Sequence, residues 1–414
     1  MTLKSIELFA GAGGLAMGAA LAGFRSRAVV EWDKWACDTI RQNQSGGHPL
    51  VQDWPVVEGD VRDWTNSLTA ADTSGELDLV AGGPPCQPFS MGGKHKAHQD
   101  SRDMFPATVD VIRRFQPRAF IVENVKGLTR SSFHNYYQHI LLQLEFPEIS
   151  RRPDESWMDH YQRLQRFKTA KRKAGSGLSY NVVPTLVNAA NYGVPQKRER
   201  VFIVGFRNDL NTRWSFPRET HSWDALLHDQ WVTGEYWDRH KVSRRQRPSP
   251  PPANEALIAR LKGLGLPPMH APWRTVRDAF VGLPDPATGD TSVLNHRPQP
   301  GARVYPGHTG SPIDLPAKTL KAGDHGVPGG ENMLVKTNGE VRYFTVRESA
   351  RLQTFPDGYA LHGSWTEAMR QLGNAVPVAL GKIVAASVAE HLIDVTVEGA
   401  RRSEKAASIQ RVLA

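Results

Sequence analysis

Apolar and polar residues alternate in short bursts along the first half of this chain. Apolar runs of strand length occupy residues 5–9, 28–32, 77–81, 119–123, 181–187 and 201–205, with a weaker one at 56–60. Polar or helical stretches separate them. Strand-length runs spaced in this way predict a mostly parallel sheet with helices on both faces. In such a sheet ligands gather beyond the carboxyl ends of the strands, so the residues that end each run are the ones to read for chemistry.

After residue 206 the rhythm stops. Proline, glycine, tryptophan and basic residues become dense, as in Arg244, Arg245 and Arg247 followed by Pro248, Pro250, Pro251 and Pro252. This texture predicts a smaller, loop-rich second domain. Regular patterning returns at 346–355 and in an apolar helix around 376–392, and the end from about Arg401 reads as a polar tail. The expected division is a first domain of 1–206, a second of 207–345, a hinge of 346–371, a helix of 372–400 returning to the first domain, and a tail of 401–414. A helical insertion near 157–173 carries Arg163, Arg166, Lys168, Lys171, Arg172 and Lys173. A solvated face and a nucleic-acid-facing one account for it equally well.

Composition narrows the classes. A chain of 414 residues suits two domains, and 40% hydrophobic residues allow a sizeable core. A formal net charge of +9 favours a polyanionic partner without establishing one. Two separated cysteines, Cys37 and Cys86, exclude a disulfide framework and a cysteine-based zinc site and fit a reducing cytoplasm. The N-terminus has no long apolar core of a signal peptide, and no run reaches the roughly 18–20 apolar residues of a membrane span. The expectation is a soluble, intracellular protein.

The strand ends carry the chemistry. Phe9-Ala10-Gly11-Ala12-Gly13-Gly14 follows a strand and precedes a helix, where glycines let the backbone approach a ligand and helix-start amides face its negative group. About 20 residues on, Glu31-Trp32-Asp33 offers an acid for a ribose diol and an indole for an adenine. Asp60-Val61 ends a third strand with an acid able to accept from an adenine amino group. These features alone indicate a nucleotide-like cofactor and leave a NAD-dependent oxidoreductase open. Gly83-Pro84-Pro85-Cys86-Gln87-Pro88-Phe89-Ser90 is more specific: a cysteine in a proline turn at the ligand edge is a poor core residue and a good nucleophile. Glu123-Asn124-Val125 ends another strand, placing a carboxyl where it can activate a ring nitrogen beside Cys86. Gln196-Lys197-Arg198-Glu199-Arg200 leads into the last run, with two arginines able to reach a carbonyl and a phosphate.

In this order the motifs resemble the DNA (cytosine-5)-methyltransferases of the bacterial restriction-modification type. Arg347-Glu348-Ser349-Ala350-Arg351-Leu352-Gln353, Phe355-Pro356-Asp357 and Gly373-Asn374-Ala375-Val376-Pro377 extend the match, which covers about 3–206 and 346–392. The resemblance implies a Rossmann-like S-adenosylmethionine-dependent methyltransferase sheet in 1–206 and a target-recognition domain in 207–345. It implies that Cys86 attacks carbon 6 of a flipped cytosine, that Glu123 activates the ring, and that Arg200 holds its carbonyl with Arg198 nearby. Phe9, Gly11, Gly13, Gly14, Glu31, Trp32, Asp60, Val61, Pro85, Asn374 and Val376 would line the cofactor pocket. Gln87, Ser90, Thr319 and His308 would touch DNA, His308 as the residue filling the gap left by the flipped base. Asn191 stands where the family often has aspartate, a departure that touches no catalytic role.

The implied partners are double-stranded DNA, engaged by a monomer, and a cognate restriction endonuclease, with no metal and no membrane, in the cytoplasm at the nucleoid. Three rivals remain in view. A tRNA-methylating relative would have a shorter recognition region, a NAD enzyme has no use for Pro-Pro-Cys with Glu-Asn-Val, and a non-catalytic DNA-binding scaffold would be expected to lack Cys86 or Glu123.

Overall fold

The structure, a computed structural model, describes residues 2–85, 103–171, 177–306, 308–322 and 330–413. Seven of its strands form one sheet: β1 (Leu3–Leu8), β2 (Phe24–Glu31), β3 (Val56–Glu58), β4 (Leu79–Gly82), β5 (Ala119–Val125), β6 (Tyr180–Asn188) and β7 (Glu199–Arg207). Their spatial order is β3-β2-β1-β4-β5-β7-β6. Pairing is parallel from β3 through β5, and β7 alone runs against its neighbours. The parallel sheet expected from the sequence is thus mixed at one edge. The connection between β6 and β7, residues 189–198, is shorter than the crossover of roughly a dozen or more residues that parallel pairing needs. Pro184 sits in the outermost strand, where a missing N–H leaves no ladder bond unmade.

Between β1 and β4 the strand order reverses, opening the crevice in which such sheets bind ligands. Each face of the sheet carries its own core. On one, Ile6, Leu8, Val30, Val80, Phe120, Val122 and Ile203 pack against helices α3 (Val61–Ser67), α4 (Phe105–Phe115) and α5 (His134–Glu145), following α1 (Gly14–Leu21) and α2 (Lys34–Ser45) in the chain. On the other, Leu3, Leu79, Ala81, Ile121, Phe202 and Val204 meet Leu380, Val384 and Val388 of the last helix. Residues on both faces are buried, which is why these strands read as continuous apolar runs rather than as alternation.

Helix α6 (Trp157–Lys171) is the predicted insertion. Two of its cations are held within the chain: Arg163 pairs with Glu155 at 2.7 Å and Lys168 with Glu145 at 2.6 Å. Those pairs favour the solvated reading for both residues.

The stretch after β7 is irregular, as its composition suggests. It contains short helices α7 (Trp223–His228), α8 (Glu235–Arg239), α9 (Glu255–Leu264) and α10 (Val276–Phe280), a two-stranded and a three-stranded sheet of strands two or three residues long, and a cluster of Trp223, Trp231, Tyr236, Trp237 and Trp273 around Leu226. Its later part does not form a core of its own. Val276, Ala279, Ala317, Leu320, Leu334 and Phe344 share one cluster with Met17, Ile40, Trp54 and Leu372.

Three helices close the chain: α11 (Val346–Leu352), α12 (Trp365–Asn374) and α13 (Val378–Leu413). Thr345 and Glu348 form a reciprocal capping box that starts α11. The expected single helix of 372–400 is instead two, broken at Ala375–Val376–Pro377, and helix continues through the expected tail to Leu413. Pro377 has no N–H to give a continuing helix, whereas the Ala, Glu, Lys and Arg residues after 400 are good helix formers. The stretch Trp365–Glu398 is, against the sequence expectation, long and apolar enough by composition to cross a membrane. Its most apolar window is 67% buried, so its apolarity serves the protein core. Arg118 pins α13 to the sheet, donating to Asp78 at 2.9 Å and to the Leu392 carbonyl at 2.8 Å.

Between α5 and α6, His139 Nε2 lies 3.0 Å from His160 Nδ1, and His160 Nε2 lies 2.7 Å from the Ile149 carbonyl oxygen. That carbonyl requires a proton on His160 Nε2, so His160 Nδ1 accepts from His139 and both rings are neutral. Burial first, and the neighbouring His160 second, push His139 down to about 3, with Arg151 adding to the shift and Glu155 opposing it. A histidine with a depressed folded pKa contributes stability above its unfolded value near 6.5 and loses it as pH falls. Acidification from pH 7 to 5 should therefore cost wild type about 2 kcal/mol more unfolding free energy than it costs His139→Gln. Urea titrations at the two pH values check this, and equal losses would remove the pair as the cause.

Candidate active site

The crevice between β1 and β4 widens into a cavity of about 630 Å³ along the carboxyl ends of the central strands. Such a volume suits a nucleoside-sized ligand. Its walls come from every strand end read in the sequence. Phe9 and Gly11 follow β1, Glu31 and Trp32 end β2, Asp60 and Val61 follow β3, Gly83–Pro85 follow β4, and Glu123 and Asn124 end β5. Arg200 of β7, Arg370 and Gln371 of α12 and the break between α12 and α13 at Asn374–Val376 close the rest.

Two of the acids are set by backbone amides. The Glu31 carboxylate accepts from Gly11 N at 2.7 Å through one oxygen and from Asp33 N at 2.8 Å through the other. Burial outweighs these bonds and raises its pKa. Asp60 caps α3 through Arg62 N at 2.7 Å and also takes the Arg62 guanidinium at 2.6 Å, which lowers its pKa. Trp32 is 72% exposed at the mouth, an indole face left open. A carboxylate held by two amides beside a free indole fits a ribose and a purine, so the residues present suit a nucleoside cofactor.

The other end of the cavity is charged and dry. Glu123 and Arg200 form an ion pair at 2.8 Å, each side chain about one-tenth exposed. Desolvation raises the Glu123 pKa even though Arg200 and Arg198 both pull it down. Burial thus works against the ionised form while the two guanidinium groups work for it. Gly83 lies flat against it: a side-chain carbon there would come within 3.2 Å of Glu123 Oε2. Asn124 Nδ2 donates to the Pro84 carbonyl at 3.0 Å and so holds the turn that leads to residue 86. Cys86, Gln87 and Ser90 lie outside the described residues.

Three expected site residues stand elsewhere. Gly13 and Gly14 do not line the cavity. Gly13 turns the chain at φ +90°, and Gly14 lets α1 start directly against the Val376 carbonyl, where a side-chain carbon would collide. They shape the wall from behind. Arg198 is fully buried behind the cavity, donating to the Leu320 carbonyl at 3.2 Å and the Gly373 carbonyl at 2.7 Å. Alternation along the strand turns Arg198 and Arg200 differently from Glu199, but the connecting segments decide that only Arg200 meets the ligand space. Thr319 Oγ1 donates to the Lys197 carbonyl at 2.7 Å, which seats its loop on the motif containing Arg200. His308 stacks on Tyr305 with ring centres 4.4 Å apart.

Sequence reading passed over Glu7, Arg62 and Arg370, which also line the cavity. Glu7 is the notable one. It is buried in β1, and its Oε1 has no hydrogen-bond partner among the described residues. A lone acid inside the apolar run of β1 was the available signal.

A doubly wound sheet with a nucleoside-sized cavity at its switch point defines a Rossmann-like α/β protein built to take a nucleoside-type cofactor, and the comparisons take this further. The profile of the C-5 cytosine-specific DNA methylases matches residues 3–147, 157–256 and 297–390, and the chain belongs to that family. It is 35% identical to the type II methyltransferase M.AquIA of a Picosynechococcus species over 71% of this chain and 93% of that one. It is 29% identical to M.NgoPII of Neisseria gonorrhoeae over 94% and 96%. The crystal structure of S. pombe Dnmt2 methyltransferase shares the fold, with a TM-score of 0.53 and 18% identity over 95% of this chain and 99% of that one. The activity is that of a DNA (cytosine-5)-methyltransferase, with S-adenosylmethionine as methyl donor.

Burial pushes the Glu7 carboxyl up to about 7, with the Ser5 hydroxyl beside it opposing the shift. An acid whose folded pKa exceeds its unfolded value binds more protons when folded, so stability falls as pH rises from about 4.5 to 7. Between pH 5 and 8, Glu7→Gln should gain about 3 kcal/mol in unfolding free energy relative to wild type. Denaturant titrations across that range test it; a variant that tracks wild type at every pH would show that Glu7 is not buried uncharged.

Proposed function

We propose that this protein methylates carbon 5 of a cytosine flipped out of a specific double-stranded DNA sequence, through a covalent cysteine adduct. The observation that carries the reading is the buried Glu123–Arg200 pair, which opens on the same cavity as the amide-held Glu31 carboxylate. One cavity thus offers a nucleoside seat and a ring-activating acid side by side.

The target base has to leave the stack, at a few kcal/mol offset by contacts in the pocket. Arg200 donates to its ring carbonyl. The Cys86 thiolate adds to carbon 6 while Glu123 delivers a proton to N3, so the ring accepts the electron pair without an uncompensated charge. Carbon 5 then becomes nucleophilic. Bound S-adenosylmethionine supplies the electrophilic methyl group. Loss of the proton on carbon 5 and expulsion of the thiolate, with the N3 proton returning to Glu123, restore the aromatic ring and the enzyme. Glu31 grips the ribose, Trp32 and Phe9 flank the adenine, and Asp60 with the Val61 amide reads its edge. Gly11, Pro85, Asn374 and Val376 complete the cofactor seat.

Residues 207–345 serve target recognition, since base contacts specify while phosphate contacts position. Gln87, Ser90 and Thr319 touch the DNA, and His308 fills the vacated space. The protein acts in the bacterial cytoplasm as a monomer on its DNA. A restriction endonuclease of matching specificity is the expected companion, because the relatives are named type II methyltransferases.

Cys86→Ala should abolish methyl transfer while DNA binding, which rests mainly on phosphate contacts, survives. DNA carrying 5-fluorocytosine should trap the wild-type protein covalently, since fluorine cannot leave as the proton does. Turnover above a few per cent in the variant, or no trapped species on a denaturing gel, would refute the covalent route. Specificity is tested by grafting residues 207–345 onto a related catalytic domain and mapping methylation by bisulfite sequencing. The donor's site should appear; an active chimaera that keeps the acceptor's site would place recognition elsewhere.

A further inference from the structure

Gln196, Arg198 and Gln353 are all fully buried, and their amide and guanidinium groups tie together three segments far apart in sequence. Gln196 accepts from Leu320 N at 3.0 Å and donates to Gln353 Oε1 at 3.1 Å. Gln353 donates onward to the carbonyls of Leu372 and, at 3.1 Å, Ala375. Arg198 bridges the Leu320 and Gly373 carbonyls directly. The two bridged segments also touch. A side-chain carbon on Gly373 would collide with the backbone of Lys321 and Ala322, so only glycine allows this approach.

What lies at each end gives the junction its meaning. Asn374 and Val376, immediately after Gly373, line the cavity. At the other end Thr319 precedes Leu320 and is anchored on the Lys197 carbonyl, and Ala317 N bonds the Pro195 carbonyl at 2.9 Å. Residues 317–322 therefore rest on the same strand lead-in that carries Arg200 into the cavity.

We propose that Arg198 is a positioning residue that couples residues 317–322, on the recognition side, to the cavity-lining end of α12 and the break after it, 373–376, so that order imposed at one is felt at the other. The alternative role implied by family resemblance, a catalytic place beside Arg200 at the target cytosine, is closed to a side chain with no exposure whose two terminal nitrogens are bound to backbone carbonyls. The Leu320 carbonyl belongs to a segment without regular structure, and the Gly373 carbonyl to the last turn of α12, where the helix leaves its carbonyls without a helical N–H. A guanidinium holding two such carbonyls in a fixed fork fixes their separation. Coupling of this kind is reciprocal: if cofactor binding orders 317–322, DNA held there tightens cofactor binding by the same factor.

The inference rests on the reading that Asn374 and Val376 line the cofactor site, and the test separates the two. Amide hydrogen exchange is followed in the full-length protein with and without saturating S-adenosylhomocysteine. Wild type should show slower exchange in peptides covering 373–376 and, by about tenfold, in peptides covering 317–322. In Arg198→Met the product should still protect 373–376 while protection of 317–322 is lost. Arg198→Lys, which can reach only one carbonyl, should restore part of it. No protection at 373–376 in wild type would count against the cofactor reading. Protection there without protection at 317–322, or transmission in Arg198→Met equal to wild type, would overturn the coupling. Should neither variant fold, the wild-type comparison decides alone.

Discussion

Burying charge where the strands end is the constraint on which the rest of this structure depends. Glu7, Glu31, Glu123, Arg198 and Arg200 sit in or against one cavity, and an unpaired charge there would be expensive. Each is handled differently. Glu31 is given two amides, Glu123 is given two guanidinium groups, and Arg198 is given two carbonyls. Glu7 keeps one carboxyl oxygen, and Arg198 its Nε, without a partner among the described residues. The partners come from the glycine loop, the last strand, the recognition side and the break between α12 and α13, so these distant pieces must all be in place before the acids can be buried.

This explains why the second half of the chain cannot be a simple appendage. Its tryptophan-rich part, around Leu226, packs on itself. The part from Val276 onward shares apolar side chains with α1, α2 and α12, and its backbone supplies acceptors to Arg198. Lys197 adds a link of another kind, its ammonium 4.7 Å from the Trp223 ring centre and 5.2 Å from that of Trp273. A segment joined so closely to the active-site lead-in is part of what holds the cavity's geometry.

The same burial gives the proposed chemistry its direction. An exposed glutamate is ionised at neutral pH and has no proton to share. Desolvation raises Glu123, and the two arginines keep the shift from going further. A ring bound here would meet a desolvated carboxyl and the guanidinium paired with it at 2.8 Å. The aligned carboxyl ends of the sheet explain where these groups stand; the local desolvation explains how their charge is tuned.

Much of this was legible in the amino-acid sequence. Strand runs fell within a few residues of β1–β7 because residues buried on both faces must be apolar, and the acids ending those runs fell on the cavity because a parallel sheet aligns its carboxyl ends. The motifs around Glu31, Asp60 and Glu123 are local, and a local pattern can be read from a line of letters. Only the tertiary structure decided three things. It turned β7 against its neighbours. It took Arg198 out of the ligand space, although it is only two residues from Arg200, because the carbonyls that claim it come from Leu320 and Gly373, more than a hundred residues away. And it left Glu7 buried and half-partnered, since whether an acid in an apolar strand is paired depends on what packs over it, which no stretch of neighbouring residues records.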